Sequence, residues 1–311
     1  MNGIIVINKP SGFTSFDVVA VMRGIAKTRK AGHTGTLDPM ATGVLPILLG
    51  NATKAQSLIP DSSKEYIADF RLGITTDTLD ITGKIIEEKK SEISEREISD
   101  VLPEFTGNIF QIPPMYSAVQ KDGKRLYELA RQGIEVEREK REVTIYKLEL
   151  LEYDEKAQAG RLLTGCSGGT YIRTLIDDIG KRLGCGGVMT ELCRSSACGY
   201  SLSDAVTLEE VRKISAEGKL ESILRSVDGL FSIYREVRVS DAQVKRFCSG
   251  GQLDLSRLKI DNLSDREIVR VKSVSGYFIG LGIAEKEKGW LAIHKLFSGY
   301  DEYEKDKGDP N

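Results

Sequence analysis

The stretch HTGTLDPMATG, residues 33–43, concentrates groups that can do chemistry. It holds His33, one of only two histidines in the chain, and a lone carboxylate, Asp38, among three threonines and two glycines. A carboxylate held in a rigid loop can act as nucleophile, acid or base; one that precedes a proline can equally close a turn. Three further segments place polar groups where an apolar strand gives way to a turn: Lys64-Glu65-Tyr66, Thr76-Asp77-Thr78-Leu79-Asp80, and Gly168-Gly169-Thr170-Tyr171-Ile172-Arg173. Asp38 and Asp80 are a conceivable carboxylate pair for glycoside hydrolysis, but no spacing brings them together. A Ser-His-Asp or Cys-His site would have to use His33 or His294, and neither adjoins a nucleophile motif. No phosphate-binding G-x-x-x-x-G-K-[ST], no G-x-G-x-x-G after the first strand and no G-x-S-x-G elbow occurs. The five cysteines are odd in number and contain no CxxC pair. Cys185, Cys193 and Cys198 lack a fourth ligand for zinc, so free thiols and no metal are expected.

These groups need elements to hold them. GIIVINKP is a buried strand stopped by Pro10, and Thr14 or Ser15 caps a helix through about Lys27 with Phe16, Val19 and Met22 at helical spacing. VLPILLG is a strand, ATKAQSLI a short helix, and KEYIADFRLG alternates as a half-buried strand. TTDTLDITG turns back into the hairpin-like strand GKIIEEK. Ser94 caps a helix in SEREISDVLPEF. Asp122-Gly123 marks a turn before the helix of RLYELARQG, and REVTIYKLELLEY is a long strand. RLLTGCSGGTYIRTLIDDIGKRLG reads strand, glycine turn, helix. Thr207 and Glu210 form a capping box. Strands and helices do not alternate strictly, which predicts an α+β fold with a mixed, mainly antiparallel central sheet flanked by helices. From about Tyr234, short β-rich runs between glycines predict a small barrel. The expected division is 1–230 and 231–298, with the boundary within 224–234 and an acidic, disordered tail at 299–311.

The chain has 311 residues and a net charge of −2. It contains no apolar stretch long enough to span a membrane and no signal peptide, so a cytoplasmic, bacterial-type protein is expected. The charge is unevenly spread. Residues 1–54 hold only Asp17 and Asp38 as acids, against Lys9, Arg23, Lys27, Arg29, Lys30 and Lys54. A second basic cluster runs from Lys121 to Arg141 with glutamates interspersed. Such local basic faces suit a phosphate backbone and suit solvated helix faces equally well.

GHTGTLDPMATGVLP looks like the catalytic-loop motif of the TruB family of tRNA pseudouridine synthases. Other stretches agree in order: an N-terminal strand ending in Lys9-Pro10, Lys64-x-Tyr66, TDTLD at 76–80, PPMYSA followed by DGKRLYELARQG, and CSGGTYIRTLIDDIG. The likeness covers residues 3–200. The C-terminal barrel resembles, more loosely, the PUA-type RNA-binding domain that ends this family.

The resemblance implies an enzyme that isomerises uridine to pseudouridine in the T-arm loop of tRNA, position 55, flipping the base out and using no cofactor. Asp38 corresponds to the family's essential aspartate, Arg173 to the arginine paired with it, and Tyr66 to the tyrosine that stacks on the base and is held to take the C5 proton. Leu192 and Tyr171 would line the base pocket, and His33 would fill the space the base leaves. Lys9 and Lys64 would touch phosphate or support the site, and Asp80 is a motif acid of unspecified role. The segment about 120–145 resembles an insert that clamps the T-arm, with Lys124, Arg125 and Arg131 on the RNA backbone. Each residue also has a plainer reading: a turn carboxylate, a surface arginine, core aromatics. A binding module that refolds tRNA through the same cleft is the competing function. No metal, no membrane and a monomer are expected.

Overall fold

The computed structural model describes residues 1–308. The apolar run GIIVINK is β1 (Gly3–Lys9), buried at nearly every position. Thr14 caps α1 (Ser15–Ile25): its hydroxyl accepts from the Asp17 N–H, and the Asp17 carboxylate accepts from the Thr14 N–H. Ser15, Val18, Val19 and Met22 form the buried stripe. Phe16 was expected on that face but is 63% exposed beneath the Arg23 guanidinium; it lies about 100° of helical rotation from the stripe. Next come β2 (Ala31–His33) and β3 (Thr42–Leu49), with the loop 34–41 between them. The short helix expected after β3 is a 3-10 turn, Gly50–Ala55.

β4 (Lys64–Leu72) alternates as predicted, and β5 (Ile74–Thr76) and β6 (Ile85–Glu88) form a hairpin about residues 77–84. Ser94 caps α2 (Glu95–Val101), and β7 (Gly107–Gln111) follows. β8 (Gln120–Lys121) and β9 (Lys124–Arg125) are joined by Asp122-Gly123, both at positive φ as a two-residue hairpin turn demands. Then come α3 (Leu126–Arg131), the long β10 (Arg141–Asp154), β11 (Ala159–Cys166) and α4 (Ile172–Arg182). β12 (Gly187–Ala197), β13 (Tyr200–Ser201) and α5 (Leu208–Ala216), capped by Thr207, complete this part.

The main sheet runs β1-β3-β12-β4-β11-β10-β7, with β2 beside β3 and β13 beside β12. Every pairing is antiparallel except β12 with β3. This is the mixed, mainly antiparallel α+β sheet the sequence predicts. Helices α1, α4 and α5 bury their apolar faces against one side of it, through Val18, Met22, Leu175, Ile179 and Val211.

The remaining elements are β14 (Glu236–Val239), α6 (Asp241–Cys248), β15 (Leu253–Asp254), β16 (Ile268–Ser273), β17 (Phe278–Glu285), β18 (Trp290–Leu296) and α7 (Tyr300–Gly308). The expected barrel takes the form of a curled, half-barrel sheet in the order β14-β16-β17-β18-β15. Its junction with the main sheet is an apolar seam. Ile4, Val6, Val44 and Leu48 meet Phe231, Phe278 and Phe297, whose rings pack with centroids 5.4–6.2 Å apart.

The tail expected to be disordered is instead helical over Tyr300–Gly308. Tyr303 is buried and donates to Asp241 Oδ1 at 2.5 Å, and Lys307 donates to Asp241 Oδ2 at 2.7 Å. Two tyrosines among the acids supply the burial that an acidic, apolar-poor composition hides. Residues 309–311 of that predicted tail lie outside the described residues.

Candidate active site

The loop 34–41 is held rigidly from beneath. Lys9, at the end of β1, is fully buried, and its ammonium donates to the carbonyls of Phe13 (2.6 Å), Pro10 (2.9 Å) and Pro39 (3.2 Å). Burial pulls its pKa down to about 8. A phosphate contact by Lys9, one of its two expected roles, is thereby excluded; the other, support of the site, fits. Ser15 Oγ accepts from the Leu37 N–H at 2.8 Å. Arg194, in β12, is fully buried. It donates to the carbonyls of Val44 (2.7 Å), Gly35 (3.1 Å) and Thr36 (3.4 Å). Both ends of the loop are therefore tied to charged groups that never reach water.

This loop presents Asp38 to Arg173, in the first turn of α4. Arg173 Nε lies 2.9 Å from Asp38 Oδ2, and Nη2 donates to Oδ1 at 3.1 Å, a two-pronged pairing. The rest of the guanidinium is also used. Nη1 donates to the Thr78 carbonyl and Nη2 to the Tyr116 carbonyl, both at 2.9 Å. The Arg173 side chain is 5% exposed, whereas a third of Asp38 stays open. Burial pushes the Asp38 carboxyl above the usual aspartate value; Arg173 pulls it back and Asp80 pushes it further up.

Asp80 has a definite place. Its Oδ2 stands 3.5 Å from Arg173 Nη1, and its Oδ1 accepts from Thr78 Oγ1 (2.9 Å), the Thr82 N–H (3.0 Å) and Thr82 Oγ1 (2.5 Å). It folds the 77–82 turn and backs the arginine from behind. The α4 start is fixed by Gln111 at the end of β7: its amide oxygen accepts from the Tyr171 N–H at 3.0 Å, and its amide nitrogen donates to the Tyr171 carbonyl at 3.2 Å.

Asp38 and Arg173 form one wall of a cavity of about 400 Å³, a size that suits a small organic group. Tyr66 and Leu192, on the adjacent strands β4 and β12, line another part, with Lys64, Arg141, Tyr171 and Ser117. Register sets this arrangement, since Tyr66 is opposite Arg194 and Gly43 is opposite Arg194 across the parallel pairing. Burial pushes the Tyr66 phenol up to about 12, against a downward pull from Arg194, so it is protonated at neutral pH. Burial and Arg194 lower the Lys64 pKa.

His33, like Lys9 and Asp80, is an expected site residue that does not line this cavity. It lies on β2, half-buried, with Nδ1 unpartnered, and burial and Arg194 depress its pKa. Lys124, Arg125 and Arg131 do not line the cavity; they are exposed on the β8–β9–α3 segment, with both guanidinium groups over the Tyr127 ring. Sequence reasoning missed Arg194, Gln111 and Ser117. Arg194 carried a signal: in a strand, it shares a face with Leu192 two residues earlier. Ser117 lies within the PPMYSA stretch, which carries the resemblance as a whole without singling it out, and Gln111 carried none. Among the described residues no group of His, Cys, Asp or Glu could hold a metal, and no helix is long and apolar enough to cross a membrane.

Comparison with known proteins places the arrangement. The family model "TruB family pseudouridylate synthase (N terminal domain)" matches residues 23–172, and "tRNA pseudouridylate synthase B C-terminal domain" matches 173–232. The chain is 42% identical to the tRNA pseudouridine synthase B of Clostridium kluyveri over 283 residues, covering 91% of this chain and 96% of that protein. It is 42% identical to that of Pseudomonas fluorescens over 299 residues, covering 95% of each. Among solved structures, a Cbf5 chain from a Cbf5-Nop10-Gar1 complex superposes with a TM-score of 0.74 at 26% identity, covering 97% of this chain and 86% of that one.

Proposed function

The chain belongs to the TruB family of pseudouridylate synthases and is an isomerase acting on tRNA, and on that premise we propose that it converts a uridine of the T-arm loop, position 55, with Asp38 as the nucleophile. The observation that carries this reading is the Asp38–Arg173 pair, buried on the arginine side and open on the carboxylate side, in a cavity shared with Tyr66 and Leu192.

The reaction breaks the bond from N1 to the ribose C1′, turns the uracil, and joins C5 to C1′; the C5 proton is lost and N1 gains one. Arg173 keeps Asp38 ionised and aimed against the upward push of burial. Tyr66 and Leu192 enclose the base, and the Tyr66 phenol, protonated at neutral pH, gives its own proton toward N1 as it takes the one lost from C5. The cavity is walled by protein, so the base must leave the RNA stack, at about a few kcal/mol. Lys64 and Arg141 offer cations to the flanking phosphates. His33, off the cavity wall, meets the RNA beside the cleft, in the space the base vacates. We assign residues 1–230 to catalysis, about 120–145 to clamping the T-arm through Lys124, Arg125 and Arg131, and 231–298 to further RNA binding. The protein acts as a cytoplasmic monomer.

Asp38→Asn tests this directly, because asparagine keeps the shape and loses the charge. The variant should bind a T-arm RNA within a few-fold of wild type and form no pseudouridine. Turnover by the variant would remove Asp38 from the reaction. Unchanged RNA refolding by a catalytically dead variant would show that the binding-module activity coexists with catalysis.

A further inference from the structure

Buried polar groups almost always find partners, and an orphan in a functional cleft marks a place a ligand completes. Seven buried side-chain polar atoms lack a partner among the described residues, and Ser117 Oγ is the one belonging to the wall of the catalytic cavity. Ser117 is 6% exposed. Burial raises the phenol of Tyr171, and the nearby Ser117 hydroxyl partly offsets that rise, but the two groups do not meet in a hydrogen bond.

The backbone around this hydroxyl joins two working parts. The carbonyl before it, that of Tyr116, accepts from Arg173 Nη2 at 2.9 Å. Its own carbonyl accepts from the Tyr127 N–H at 3.1 Å, and the Val119 carbonyl accepts from the Leu126 N–H at 2.8 Å, so both hold the start of α3. Within four residues the chain thus touches the catalytic arginine, the cavity and the basic segment that bears Arg125 and Arg131.

We infer that Ser117 is a substrate-contacting residue: its hydroxyl donates to an oxygen of the target nucleotide, either the ribose 2′-hydroxyl or a base carbonyl. Through the Tyr116 carbonyl this contact registers a seated nucleotide at the Arg173–Asp38 pair. The hydroxyl is left unpartnered in the free protein so that the nucleotide can claim it. This rests on the T-arm uridine reading above, and fails separately from it.

The test uses full-length protein and a T-arm stem-loop RNA under single-turnover conditions. Ser117→Ala should lower the rate of pseudouridine formation about tenfold with the RNA dissociation constant within about threefold. Its melting temperature should not fall, because an unpartnered hydroxyl has been removed from a buried site. Ser117→Thr, which restores a hydroxyl, should recover most of the rate. A 2′-deoxy target nucleotide identifies the acceptor. If the ribose hydroxyl accepts, wild type and Ser117→Ala become equal on it; if a base carbonyl accepts, the tenfold gap persists. A Ser117→Ala rate equal to wild type on the normal RNA would overturn the inference, as would a parallel loss of rate and melting temperature that Ser117→Thr does not repair. A wild-type protein that modifies no T-arm uridine would instead overturn the functional reading itself.

Discussion

Asp38 sits between opposed influences, and its ionisation can be read through activity. Burial and Asp80 raise its pKa while Arg173 lowers it. Single-turnover rates should therefore fall as pH drops, with an inflection above 3.8, the ordinary aspartate value. Arg173→Lys keeps a charge but loses the two-pronged fork, and should move that inflection higher in a pH–rate profile; an unmoved inflection would deny the arginine this role. Tyr66→Phe retains the ring in the wall and removes the hydroxyl. Its rate should fall by about 10²–10⁴-fold with RNA affinity kept. Lys9 makes a stability prediction with a defined sign. Its folded pKa, about 8, lies below the free value of 10.5, so between those values the unfolded chain binds more protons and stability rises with pH. Chemical denaturation across that window should show wild type gaining on Lys9→Met as pH increases.

At the scale of elements, the loop is positioned by a strand pairing. Gly43 has φ +103°, and a Cβ there would run into the backbone of Arg194. Gly43→Ala should cost several kcal/mol, about 3 or more, through strain and a broken β3–β12 register; a melt within a degree or two of wild type would refute the close approach. The β8–β9–α3 segment makes an electrostatic prediction. Neutralising Lys124, Arg125 and Arg131 should flatten the salt dependence of RNA binding by roughly one power of salt for each phosphate that is no longer neutralised. The elements themselves were largely legible: Thr14, Ser94 and Thr207 announced their helices, and Asp122-Gly123 its hairpin. The site was legible only through whole motifs. Asp38 and Arg173 are 135 residues apart, and nothing in periodicity joins them. Arg194 shares a strand face with Leu192, but strand alternation alone does not say which face is buried. Phe16 and Tyr303 show the converse, an aromatic left in water and one buried within an acidic tail.

At the scale of the whole molecule, the C-terminal sheet and the main sheet meet through a common apolar cluster. Phe231, Phe278 and Phe297 share one core with Ile4, Val6, Val44 and Leu48 of the main sheet. Phe231→Ala should destabilise the whole chain by about 3–5 kcal/mol in a single transition, measurable by calorimetry; separate melting of the C-terminal sheet would contradict this. Removing everything beyond about residue 234 would bare the seam, so surface substitutions are the cleaner route to the C-terminal sheet's part in RNA binding. The strand order carries a further consequence, one of timing. β12 is among the last strands of the main sheet in the chain, yet it lies between β3 and β4. On the ribosome, Tyr66 and the Asp38 loop are made early but have no common neighbour until residue 197 has emerged. Early chain therefore waits with open strand edges, and the catalytic cleft closes as one of the last acts of folding rather than growing with the chain.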